Sequence, residues 1–215
     1  VSQRCCELLD KPDGKGTRII TCHLGNGSSI AAVKDGKVID TTMGLTPLDG
    51  LIMGTRCGTI DPSVVLFLME KEGLSAKEMD EILNKKSGML GVSGVSSDDR
   101  DIQAAKEAGN TRAAMVLDMR TYEIIKFIGG YVAALGGVDA IVFTAGVGEN
   151  QQSIRSDVLE GLAYLGIRVD YEANKARGEE VEITTPDSAV RSFVIPTNEE
   201  LVIARDTRAI VEAMA

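Results

Sequence analysis

Two glycine-bearing turns, one arginine in a breaker-rich loop, an Asp-Asp-Arg triplet and a glutamate near the C-terminus are the residues of this sequence with chemistry to offer. His23-Leu24-Gly25-Asn26-Gly27-Ser28-Ser29 sets two glycines one residue apart, so the backbone can turn sharply and point successive N–H groups at an anion. Gly146-Val147-Gly148-Glu149-Asn150 repeats the pattern after the apolar run Asp139 to Thr144. A helical pattern follows from Gln152, and a helix N-terminus reached through such a turn suits phosphate or a nucleotide. Arg56 lies in a segment from Gly44 to Gly58 that holds Pro47 and has no period of either kind. Asp98-Asp99-Arg100 opens a helix, and Glu199 sits in the cap of another.

That inventory suits phosphoryl transfer, where the protein aligns donor and acceptor, neutralises the equatorial oxygens and places a divalent cation. Arg56 has the charge to neutralise, and Glu199 can hold magnesium (or manganese) directly or through water. Plainer roles stay open at this level: a hairpin for the first turn, a salt bridge for Arg56, a cap for Asp98 and an N-terminal charge for Glu199.

The elements that must position these groups read as alternating strands and helices. Val1 to Leu9 reads as a helix already under way, and Thr17 to Cys22 as a short strand. Ser29 to Val33 and Lys37 to Thr41 flank Asp35-Gly36, a strong signal for a tight hairpin. Asp61-Pro62 starts a helix that Gly73 ends; Ser75-Ala76-Lys77-Glu78 is a capping box for a helix to about Lys86. Ser87 to Ser97 reads as a glycine- and serine-rich loop. Apolar spacing predicts a long helix from about Thr111 to Leu135, in which Gly129-Gly130 implies close packing against another backbone or a kink. A helix from Gln152 to Leu165, strands Val181 to Thr184 and Val190 to Ile195, and a last helix to Ala213 complete the pattern.

Composition narrows the function classes. A chain of 215 residues with 44% hydrophobic content can bury a sizeable core. Its formal charge of −9 argues against a general grip on nucleic acid or anionic membranes, so a ligand's negative charge must be met locally. The uncharged run Phe127 to Val138 is too short to span a bilayer. Cys5, Cys6, Cys22 and Cys57 lack metal-site or disulfide-scaffold spacing, and His23 is the sole histidine. Reduced thiols in a cytoplasmic protein are the expectation. Walker A, the dinucleotide fingerprint and the nucleophile elbow are all missing; Gln151 stands where the fingerprint's third glycine would fall.

Taken in order, the segments His23 to Ser29, Gly44 to Pro62, Ser96 to Asp101, Phe143 to Asn150 and Pro196 to Arg205 resemble the acetate kinase family, within the superfamily of sugar kinases, Hsp70 and actin. The resemblance covers essentially the whole chain and corresponds to the C-terminal half of such an enzyme. It implies an α/β domain of the RNase H-like, actin-like ATPase kind, a mixed sheet flanked by helices. It further implies that the γ-phosphoryl of ATP passes reversibly to acetate with magnesium, and that the acyl-binding half precedes Val1. Propionate or butyrate as acceptor, or a nucleotide-binding or dimerisation module without chemistry, are the alternatives. By the same resemblance His23, Leu24, Gly25, Asn26 and Gly27 contact the β- and γ-phosphates, and Arg56 stabilises the phosphoryl group in flight. Asp98, Asp99 and Arg100 border the adenosine, with Gly146, Val147, Gly148, Glu149 and Asn150 as its loop. Glu199 places magnesium, Pro47 walls the acyl pocket, and His23 either fixes its loop or takes part in catalysis. Relatives often carry an apolar or aromatic residue where this sequence has Asp99, which shifts base contact toward Arg100. A homodimer is implied, and the isolated 215 residues are expected to be inactive alone.

Overall fold

Six strands form one mixed sheet in the order β3-β2-β1-β4-β6-β5 in the structure, a computed structural model that describes residues 1–214, the side chain of Glu199 excepted. β1 (Arg18–Leu24) and β2 (Ser28–Lys34) are antiparallel neighbours joined by the first glycine turn. β3 (Lys37–Thr41) continues antiparallel through Asp35-Gly36, whose φ angles of 51° and 74° are those of the tight turn expected there. β4 (Ala140–Thr144) lies parallel to β1 on its other side, and β6 (Arg191–Val194) parallel to β4. The short β5 (Val181–Glu182) closes the edge antiparallel.

Alternation along the central strands gives each face its own core. Ile20, Cys22 and Leu24 of β1 with Ile141 and Phe143 of β4 face α6 (Thr111–Leu135) and α8 (Gln152–Gly161). Ile19, Ala140, Val142 and Phe193 face the other way, onto Cys5 and Cys6 of α1 (Ser2–Leu8). The four cysteines are free thiols. Burial pushes the Cys5 thiol up to about 12 and raises Cys22 further, so neither is a nucleophile near neutral pH.

α6 runs over both parts of the molecule. Ile124, Ile128, Tyr131 and Leu135 pack on the sheet, whereas Ala113, Val116 and Leu117 join a separate cluster with Ile52, Met89 and Ile102. The doublet Gly129-Gly130 does not do what its composition implies. A Cβ at Gly130 would meet nothing within 4 Å and one at Gly129 only the Tyr164 hydroxyl at 3.7 Å, and the helix continues through both residues.

α2 (Pro62–Glu72) is capped by Asp61, which accepts from Ser63 N at 2.8 Å, and ends at Gly73. It buries none of its side chains; Leu66 and Phe67 stand in solvent. α3 (Ala76–Lys85) carries the complete capping box of Ser75 and Glu78. The Ser87 to Ser97 stretch is not a plain loop, for it winds into α4 (Gly88–Ser93) before α5 (Asp99–Glu107). Residues Ala145–Asn150 likewise form a helical turn, α7, not an open glycine loop. α8 stops four residues short of Leu165, and Ala163–Leu165 turns as a 3-10 segment. The last helix, α9 (Glu199–Met214), is capped by Asn198 Oδ1 accepting from Leu201 N at 2.9 Å. No helix of the described residues is long and apolar enough to cross a membrane.

Candidate active site

Parallel pairing of β1 with β4 sets His23 beside Thr144, so both glycine turns leave adjacent strands at their C-terminal ends. That is the edge at which open α/β sheets take ligands. The first turn is closed by Gly25 N donating to Gly27 O at 3.1 Å and by the Ser28 hydroxyl donating to Gly25 O at 3.0 Å. The second begins at Ala145, held at φ +64°, a left-handed conformation costly for a residue with a Cβ and often retained at sites of function.

Between the turns opens a cleft of about 540 Å³. Gly25, Asn26 and Ser28 form one side, and Gly146, Val147, Asn150 and Gln151 the side facing it. Ile52, Met53, Met89 and Ile102 add an apolar wall. Ser97 to Arg100, with Arg120 and Arg177, supply polar and cationic groups. Apolar surface beside N–H donors and guanidinium groups suits a ligand that is flat and apolar at one end and anionic at the other.

The residues singled out by sequence are partly assembled here. Arg56 reaches back to the first turn: its Nη1 donates to Pro47 O at 3.2 Å, and a Cβ on Gly27 would lie 3.2 Å from the same nitrogen. Gly27, Arg56 and Pro47 therefore share a corner, joined to the cleft through Met53, whose Sδ is 3.5 Å from Nη1. Asp98 caps α5, accepting from Arg100 N at 2.9 Å and from the Arg100 guanidinium at 3.0 and 2.6 Å. That guanidinium holds the Asp98 carboxyl down at about 2.

Other predicted residues sit differently from expectation. Leu24 is 2% exposed with its side chain in the sheet core, so it can serve a ligand through its backbone alone. His23 is half-buried within β1 and does not line the cleft. Asp99 lines it, yet both its oxygens are engaged, one by Arg120 Nη1 and the other by Gln151 Nε2. Glu149 turns away: Oε1 accepts from Ala145 N at 2.8 Å and from Thr197 N and Oγ1 at 3.0 and 3.1 Å, tying the second turn to the segment before α9. Gly148 backs onto Phe143 and also stays off the cleft wall. The side chain of Glu199 lies outside the described residues.

Sequence reasoning missed Arg120, Gln151, Arg177 and the apolar wall. Ile52 and Met53 lie in the segment from Gly44 to Gly58, which has no period of either kind. Arg120 is hidden in the middle of a long helix, and the only signal at Gln151 is the absence of the fingerprint's third glycine. Glu123, one turn beyond Arg120, accepts from Ile52 N at 2.7 Å and fixes the apolar wall to α6. Among the described residues no three His, Cys, Asp or Glu side chains cluster as a metal cage. A cation that arrives already coordinated by phosphate oxygens fits this donor set; one needing an all-protein cage does not.

Glycine turns at the ends of two adjacent parallel strands, in a mixed sheet with helices on both faces, place this chain among RNase H-like domains of the actin-like ATPase kind. Within that class the model of the Acetokinase family matches residues 1–205, and the chain belongs to that family. It is 60% identical over 215 residues to the acetate kinase of Methanosarcina barkeri, covering 100% of this chain and 52% of that protein. It superposes on the acetate kinase of Porphyromonas gingivalis with a TM-score of 0.93 at 52% identity, over 98% of this chain and 53% of the other. A propionate kinase from Francisella tularensis follows at TM-score 0.86 and 41% identity, over 94% and 51%. The chain spans about half the length of the curated relatives it matches.

Proposed function

We propose that the protein carrying this chain transfers the γ-phosphoryl group of ATP to acetate, reversibly, and that these residues supply its nucleotide-binding half. The acyl-binding half then lies outside them. One oxygen of the acetate carboxylate attacks the γ-phosphorus while the bond from phosphorus to the β–γ bridging oxygen breaks, and ADP departs with that electron pair. No proton need move, so positioning and charge neutralisation are the whole task.

The corner where Arg56 meets Pro47 and Gly27 carries the proposal. A cleft that merely held a nucleotide has little need of a guanidinium beside its phosphate turn; one that must stabilise a phosphoryl group in transit does. The backbone of Gly25 to Gly27 and the Asn26 side chain hold the terminal phosphates. The wall of Ile52, Met53, Met89 and Ile102 accepts the base, with Arg100 and the backbone of Gly146 and Val147 alongside. Glu199 would be the protein carboxylate that holds magnesium or manganese, and the ion would supply shielding of phosphate charge. Pro47 limits the acyl chain.

A homodimer in the cytoplasm belongs to the same proposal. Met115, Met119 and Tyr122 line up on the exposed side of α6 and offer an apolar strip to a second copy. The deciding experiment incubates the complete protein with magnesium-ATP and acetate, propionate or butyrate in turn, and traps acyl phosphate with hydroxylamine. Acetate is the expected best acceptor. A preference for the longer acids would reassign the substrate, and no acyl phosphate from any of them would overturn the proposal.

A further inference from the structure

Behind the helical turn Ala145–Asn150, whose Gly146, Val147 and Asn150 line the cleft, lies Arg155 of α8, fully buried. Its guanidinium meets oxygens that carry no formal charge. Nη1 donates to Gly148 O at 2.9 Å, Nη2 to Asn174 O at 2.5 Å and Ala176 O at 2.9 Å, and Nε to Asn174 Oδ1 at 2.8 Å. Among the described residues none of its hydrogen-bond partners is a carboxylate. A lone charge inside a protein is costly unless dipoles replace the water it surrendered, and these four oxygens do so. Burial, and then the neighbouring charge of Arg177, lowers its pKa to about 10, which leaves it charged at neutral pH.

Arg177 stands at the cleft itself and donates from Nε to Asn150 O at 3.2 Å. Two guanidinium groups thus grip carbonyls of the one helical turn whose other side faces the ligand, in a chain of net charge −9.

We propose that Arg155 is a positioning residue for this wall, and that its uncompensated charge finds its counter-charge in the phosphate groups of a nucleotide bound in the cleft. The inference rests on the nucleotide assignment above and adds to it a residue that no ligand touches. Bonding and charge are separable. Asn174→Asp puts a carboxylate on Arg155 Nε where an amide oxygen now sits, cancelling the charge while retaining that acceptor, at the loss of the 3.0 Å bond from Asn174 Nδ2 to Gln152 O. Arg155→Lys keeps the charge and gives up most of the bonds.

The test is calorimetric titration of the complete protein with magnesium-ADP and with adenosine, which shares base and sugar but has no phosphate. Asn174→Asp should weaken ADP about tenfold and leave adenosine within about twofold, as loss of a nearby charge in a low-dielectric wall requires. Arg155→Lys should weaken both ligands alike and preserve their ratio. Should Asn174→Asp fail to fold, Arg155→Met set against Arg155→Lys supplies the same comparison of ratios. Parallel changes for ADP and adenosine when the charge is cancelled, or no change, overturn the inference and leave Arg155 a structural pin. Wild-type protein that binds neither ligand overturns the nucleotide assignment, and the inference with it.

Discussion

The amide of Gly54 donates to Asn26 O at 3.0 Å, and a Cβ placed on Gly54 would fall 1.8 Å from Asn26 Oδ1. The irregular segment around Arg56 is therefore fastened to the first glycine turn at a point where no side chain fits between them. Gly54→Ala forces the Asn26 side chain to swing off the cleft. Because that side chain can rotate, the expected stability loss is modest, about 1 to 2 kcal/mol. ADP affinity should fall on the order of tenfold, since an oriented polar contact is lost. Unfolding and titration of the same variant check both; unchanged affinity would remove Asn26 from the phosphate contacts.

Arg56→Ala tests the catalytic corner. Arginines that stabilise a phosphoryl group in flight contribute on the order of 10³ to turnover, so kcat in the complete protein should drop by about that factor. ADP binding should remain within about threefold, because Arg56 adjoins the cleft without lining it. Equal losses of turnover and ADP affinity would favour a binding module without chemistry.

Ala145 offers a stability test that acts on the backbone. At φ +64° its Cβ is strained; glycine relieves the strain, while the greater conformational entropy it gives the unfolded chain offsets part of that gain. Ala145→Gly should therefore be neutral or stabilising by up to about 1 kcal/mol, where a glycine substitution in the middle of α6 would destabilise by a similar amount. Chemical denaturation measures it; a loss of several kcal/mol would mean that the Ala145 methyl packs where its backbone geometry gives no hint.

Glu123 provides a pH dependence. Burial raises its carboxyl above the ordinary 4.5, so the folded state binds this proton more tightly than the unfolded chain. Stability contributed by the neutral form is complete below the ordinary value and declines as pH rises through the raised one. Glu123→Gln keeps an acceptor for Ile52 N and abolishes the titration. Its stability relative to wild type should consequently increase between pH 4 and pH 8 in denaturant unfolding, and a difference independent of pH would contradict the assignment.

What the sequence could disclose depended on how locally each feature is determined. α6 was legible, from about Thr111 to Leu135, because its apolar stripe repeats over seven turns; the structure adds its bounds, Asn110 capping the first N–H groups and Gly136 turning left-handed at the end. The Asp35-Gly36 hairpin was legible because its turn chemistry is specific. α4 was not: the three glycines and two serines between Ser87 and Gly94 argue for a loop, and what winds them is distant, namely Arg112 donating to Val92 O at 2.6 Å and Gly91 O at 3.0 Å. The candidate site divides the same way. Both turns and Arg56 could be found from spacing, whereas Arg120, Gln151 and Arg177 reach the cleft by tertiary placement, and Glu149 proved to face Thr197 instead of a ligand.

The span of α6 ties the two halves of the molecule into one cooperative unit. The helix that seals one face of the sheet with Ile124 and Ile128 also carries, within two turns, the side chains that hold Asp99 and Ile52 in place. Loosening the sheet core must then be felt as a change in grip on the ligand, and an occupied cleft must in return slow amide exchange along a helix whose far end lies beneath the central strands.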